Sequence, residues 1–66
     1  MWILYAGYLF NTNDVSYIHY YIASKLWRVA IHFKDQCSSP NINVPYDTED
    51  EAVEAIRKLQ DQFNGN

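Results

Sequence analysis

A single cysteine, Cys37, leaves nothing to close a disulfide within one chain. A 66-residue domain without that support must hold together by dense packing, a metal or a partner subunit. One thiol also suits a reducing compartment, and a cytoplasmic protein is expected. Glycine is scarce as well: Gly7 and Gly65 are the only two. Glycine-rich loops that cradle phosphates are thereby excluded. No apolar run reaches the ~20 residues of a membrane span. Residues 1–10 come nearest, but they lack the basic flank and small-residue cleavage pattern of a targeting segment, and read as a strand. Base is limited too, with five Lys and Arg against eight Asp and Glu for a net charge of −3. Binding to nucleic acid rests on clustered cations, so nucleic acid is disfavoured as a partner.

Aromatic residues are what the chain has in quantity: two Trp, three Phe and six Tyr. Large rings bury much area per residue and suit a small core. Residues 1–10 bend, if anywhere, near Ala6 and Gly7. Asn11-Thr12-Asn13-Asp14 has turn composition. Residues 15–22 and 26–33 alternate with period two and are rich in β-branched and aromatic side chains, which predicts a hairpin. With Ser24-Lys25 as its turn, Ala23 faces Leu26. One face then collects Ile22–Trp27, Tyr20–Val29, Ile18–Ile31 and Ser16–Phe33. The opposite face carries Tyr21–Arg28, His19–Ala30 and Tyr17–His32. A three-residue loop would swap one strand's faces, and the even register is preferred because it gathers the aliphatic residues on one side. Residues 34–41 read as a loop. Ile42, Val44 and Tyr46 alternate with Asn43 and Pro45, and Pro45, having no N–H, places this strand at an edge.

The helix is marked at both ends. Thr48 and Glu51 stand at capping-box spacing, and Asn64-Gly65 supplies a stop. Between them Ala52, Ile56, Leu59 and Phe63 recur at helical spacing, with Val53 and Ala55 widening the stripe. Glu54 and Lys58 can pair at i,i+4 on the outer face. The expected architecture is α+β: one domain over residues 1–66, an antiparallel sheet of about four strands, and one C-terminal amphipathic helix packed on one face.

One helix covers one sheet face, so the other is solvated or used. It holds Tyr17, His19, Tyr21, Arg28 and His32. Tyr and Arg are enriched at interface centres, which makes this a candidate partner-binding surface for a protein or a second copy of the chain. Strand propensity alone also favours Tyr on a solvated face. A second candidate lies at the helix start, where Asp47, Glu49, Asp50, Glu51 and Glu54 gather without a base. Glu49, Asp50 and Glu54 could meet a basic partner, although acids at a helix start also answer the macrodipole.

Catalysis has little support. Cys37-Ser38-Ser39 offers nucleophile types without a recognisable base or oxyanion hole, and no enzyme is expected. His19, His32 and Cys37 are ligand types without metal-site spacing, so neither metal nor cofactor is expected. The expectation is a non-catalytic protein-binding module acting through its aromatic sheet face or its acidic helix edge. A structural homo-oligomer and a weak aromatic-sheet binder of single-stranded nucleic acid are the alternatives.

Three stretches, Met1-Trp2-Ile3, Asn11-Thr12-Asn13-Asp14-Val15 with Ile18, and Thr48-Glu49-Asp50-Glu51-Ala52, resemble a class of short bacterial and phage proteins with a ββββα layout. The resemblance implies a fold and brings no active site or ligand. The Tyr-rich hairpin and the loop at 37–41 depart from that class. Small size, acidic balance and an aromatic face are also similar to phage-encoded inhibitors, anti-CRISPR proteins among them.

Overall fold

A computed structural model describes residues 1–34 and 41–65. Among them five strands and one helix follow in order: β1 (Trp2–Tyr5), β2 (Tyr8–Asn11), a 3-10 turn (Thr12–Asp14), β3 (Val15–Ala23), β4 (Leu26–Phe33), β5 (Ile42–Tyr46) and α1 (Glu49–Phe63). The architecture is α+β, with two antiparallel sheets, β1-β2 and β3-β4-β5, and the C-terminal helix packed against them.

The first ten residues, read as one bent strand, form a hairpin. Ala6 (φ 50°) and Gly7 (φ 84°) are both left-handed, the geometry of a tight two-residue hairpin turn. Ile3 pairs with Phe10 on the buried side, and Leu4 with Leu9 on the exposed side. The bend expected at Gly7 is thus a full reversal of the chain.

The second hairpin keeps the expected register from Ala23–Leu26 to Tyr17–His32, and it turns through Ser24 (φ 52°) and Lys25 (φ 66°). The Ser16–Phe33 pair does not form. The register shifts between Val15 and Tyr17, so that Val15 pairs with Phe33. Ser16 is the extra residue of a bulge. The shift leaves the serine in solvent and packs Val15 against the core.

β4 lies between β3 and β5, and Ile31–Ile42 and Val29–Val44 pair on the same side as Ile18 and Tyr20. That face meets Ala52, Ala55 and Leu59 of α1 together with Ile3 and Phe10 of the first hairpin. Phe10 and Phe33 meet edge to face at 5.7 Å, and the Tyr5 and Tyr46 hydroxyls lie 2.7 Å apart. Helix and hairpin therefore share one layer against one side of the three-stranded sheet. Of the expected core, Val29, Ile31 and Leu59 are buried, while Trp27, Phe33, Ile56 and Phe63 pack around them partly exposed.

At the helix start Thr48 Oγ1 accepts the Glu51 N–H at 3.2 Å and donates to Glu51 Oε1 at 3.2 Å. The cap is the expected one, with the glutamate tied to the threonine hydroxyl. Glu54 pairs with Arg57 at 3.8 Å instead of Lys58. Gly65 (φ 83°) follows the last turn, its N–H on the Gln62 carbonyl. No helix among the described residues is long and apolar enough to cross a membrane.

Candidate partner-binding face

Strand parity decides which side chains leave the core. With Ile18, Tyr20 and Ile22 facing the helix layer, Tyr17, His19 and Tyr21 must face the other way. On β4 the same parity turns Arg28, Ala30 and His32 to that side, and β5 adds Asn43 beside Ala30 and Pro45 beside Arg28. All five residues expected on the open face are brought together there.

The rings are in mutual contact. Tyr17 stacks on His32 with centroids 4.3 Å apart and planes within 12°. His19 lies 5.0 Å from His32, 5.6 Å from Tyr17 and 5.4 Å from Tyr21. A polar chain fixes their orientation. The Phe33 N–H donates to Asn41 Oδ1 at 3.3 Å, which turns the Asn41 amide nitrogen toward His32 Nδ1 at 3.2 Å. With Nδ1 accepting, the proton of a neutral His32 sits on Nε2 and is donated to His19 Nε2, 3.0 Å away. Asn43 Nδ2 donates to the Tyr21 hydroxyl at 2.6 Å. Ala30, buried and small, floors a shallow depression of about 300 Å³ between these groups.

Arg28 is half-buried and has no carboxylate within ion-pair distance among the described residues. Among the described residues of the three strands this face holds no acid. It can therefore offer a cation, two oriented imidazoles and two phenols to a flat partner without rearranging. Preorganised rings and side chains lose little freedom on binding.

The acids of the helix start lie in the opposite layer. Glu49 and Asp50 are exposed, and Glu54 is engaged by Arg57. Asp50, Glu51 and Glu54 border a groove of about 560 Å³ between α1 and the first hairpin, with Leu4, Tyr5 and Tyr46 on its far side. Burial, and then the bond to Tyr46, push the Tyr5 phenol well above its ordinary value. The two candidate surfaces are separate.

His19 and His32 point their Nε2 atoms at one another, but no group of three His, Cys, Asp or Glu suited to a metal occurs among the described residues. Cys37, Ser38 and Ser39 lie outside those residues. Sequence reasoning missed Asn41, Asn43 and the role of Ala30. For Asn43 the signal was present, because Ile42 and Val44 face the core and the residue between them must not. It also missed the exposed apolar outer side of the first hairpin, formed by Trp2, Leu4 and Leu9.

Compared with protein-family models, curated proteins and solved structures, the chain matches none.

Proposed function

We propose that this protein is a non-catalytic protein-binding module whose docking surface is the open sheet face. The observation that carries the reading is the oriented Tyr17–His32–His19–Tyr21 run beside an Arg28 with no acidic partner among the described residues. Aromatic groups and arginine are the residues that dominate interface energetics, above all when fixed in place beforehand. A face whose Arg28 has no acid beside it among the described residues suits a protein partner that brings a carboxylate to Arg28 and flat apolar or aromatic groups to the rings. Such a module acts by occupying a surface of a larger protein in the cytoplasm, as a phage-encoded inhibitor of the anti-CRISPR kind does. The acidic helix edge at Glu49, Asp50 and Glu54 serves in this reading as a secondary contact for basic groups.

Affinity capture from the source cell with paired variants tests it. Tyr21→Ala and Arg28→Ala should keep the circular dichroism spectrum and weaken retention of the captured partner by more than ~1 kcal/mol, the threshold of a residue that matters at an interface. A Glu49→Lys, Asp50→Lys protein should still retain it. Equal capture by the sheet-face variants, with loss only on charge reversal, would assign binding to the helix edge instead.

A further inference from the structure

The two edges of the three-stranded sheet are unlike. β5 is five residues long and carries Pro45. β3 is nine residues long and contains no proline, glycine or charged side chain. No other strand among the described residues pairs with its outer side. Folded proteins usually blunt such an edge with charge, proline or a bulge, and here only the bulge at Ser16 does so, at one end.

The outward groups can be named. A two-residue turn makes Ala23–Leu26 a hydrogen-bonded pair, and bonded and non-bonded pairs alternate from there. Tyr21, His19 and Tyr17 therefore bond to β4, while Ile22, Tyr20 and Ile18 turn their N–H and C=O groups outward. Phe33 checks this parity from β4. The alternation sends its N–H away from β3, and it is found on Asn41 Oδ1 at 3.3 Å.

The same three residues have their side chains on the helix side, where cover runs out. Ile22 is 57% exposed and Tyr20 40%. At the other end of the strand, a groove of about 540 Å³ opens beside Ile18 against Ile56, Leu59 and Phe63 of α1. One strand thus presents an uncovered isoleucine and, four residues away, an apolar groove.

We infer that β3 pairs antiparallel with β3 of a second copy, about a two-fold axis at Tyr20, to give a continuous six-stranded sheet. In that register Ile18 faces the second copy's Ile22, Tyr20 faces its Tyr20, and Ile22 faces its Ile18. All three are bonded pairs, so the outward groups of both strands are satisfied. Each Ile22 arrives beside the other copy's Ile18, at the mouth of the groove. The occupant is a second copy because projection and groove sit on one strand at the spacing that this axis exchanges. A strand without charge also meets itself without repulsion. On the opposite face His19 comes alongside the second copy's Tyr21, and the two aromatic faces join. The inference does not depend on the open-face reading, since Ile22 and Tyr20 lie on the other side of the sheet.

Sedimentation of the whole chain tests it. The wild type should dimerise, and Ile22→Lys should weaken dimerisation by about tenfold or more, since it places a charge at an apolar contact. Its circular dichroism should be unchanged, because Ile22 is exposed in the single chain. In a Cys37→Ser background, Tyr20→Cys should form a disulfide-linked dimer under mild oxidation, and Leu4→Cys, exposed on the first hairpin, should not. A wild type that stays monomeric to its solubility limit overturns the inference. So does a dimer indifferent to Ile22→Lys, or one trapped through Leu4→Cys and not through Tyr20→Cys.

Discussion

Both hairpins of this chain reverse through two left-handed residues, yet they distribute the work of specification differently. The first spends its one interior glycine, Gly7, on the turn and has strands of only four residues. Ile3 and Phe10 alone are buried in it, and it joins neither edge of the larger sheet. The second turns through Ser24 and Lys25, side chains that each cost roughly 1–2 kcal/mol in left-handed geometry. Its strands run to nine and eight residues and hold the wholly buried Val29 and Ile31. A slip of one residue there would move every side chain to the wrong face. Turn chemistry thus specifies the short hairpin, and side-chain pattern specifies the long one against its own turn.

The harshest way to break the comparison is to empty its shared core. Ile31→Ala removes a fully buried side chain from the central strand and should cost about 2–5 kcal/mol in denaturant unfolding. That is a large share of the stability of a domain this size. Ile3→Ala removes an isoleucine almost as buried, but from the hairpin that no strand ladder ties down. Its first effect should be local. Amide exchange should quicken in β1 and β2 while β3 to β5 stay protected. Equal quickening in all five strands would mean that the hairpins open as one unit.

Turn variants probe the same contrast with smaller effects. Gly7→Ala meets no atom within 4 Å, so its cost is backbone strain alone, about 1 kcal/mol by thermal unfolding. Lys25→Gly should act in the opposite sense and stabilise by roughly 0.5–1 kcal/mol, strain relief being partly offset by a freer unfolded chain. A loss of stability on Lys25→Gly would show that the long hairpin does depend on its turn side chains.

The same difference explains what could be read from the residues. β3 and β4 alternate aliphatic with polar or aromatic side chains over eight residues, so only one register buries Ile18, Val29 and Ile31 together, and the five open-face residues follow from it. In residues 1–10 both sides of the hairpin are apolar, so no period shows and Gly7 alone hints at the reversal. The bulge was hidden because Val15 and Ser16 fit the alternation equally well until Phe33 claims a buried neighbour. Asn41 was missed because its part in the site depends on Phe33 and His32, contacts eight and nine residues away that carry no local pattern. The helix bounds were legible, because Thr48, Glu51 and Gly65 act on neighbours a few residues away, whereas the partner of Glu54 was not, Arg57 and Lys58 both lying within its reach.

The finest test concerns the link between the first hairpin and the sheet, the hydroxyl pair of Tyr5 and Tyr46. Burial first, and the Tyr46 bond second, raise the Tyr5 phenol well above the ordinary value of about 10. A group raised in the folded state contributes stability that is complete below its unfolded value and is lost as pH climbs beyond it. Above about pH 10 the unfolded chain releases this proton while the folded chain keeps it, so stability must fall. Tyr5→Phe should cost about 0.5–1.5 kcal/mol at neutral pH, the net worth of one hydrogen bond. It should also flatten the alkaline decline relative to wild type. The two proteins differ by this one hydroxyl, so the difference between the two pH profiles reports the Tyr5–Tyr46 pair. Amide exchange at high pH should then show β1 and β2 loosening before the larger sheet. If the Tyr5→Phe protein declines as steeply as wild type, the phenol pair does not hold the hairpin, and Ile3 and Phe10 anchor it alone.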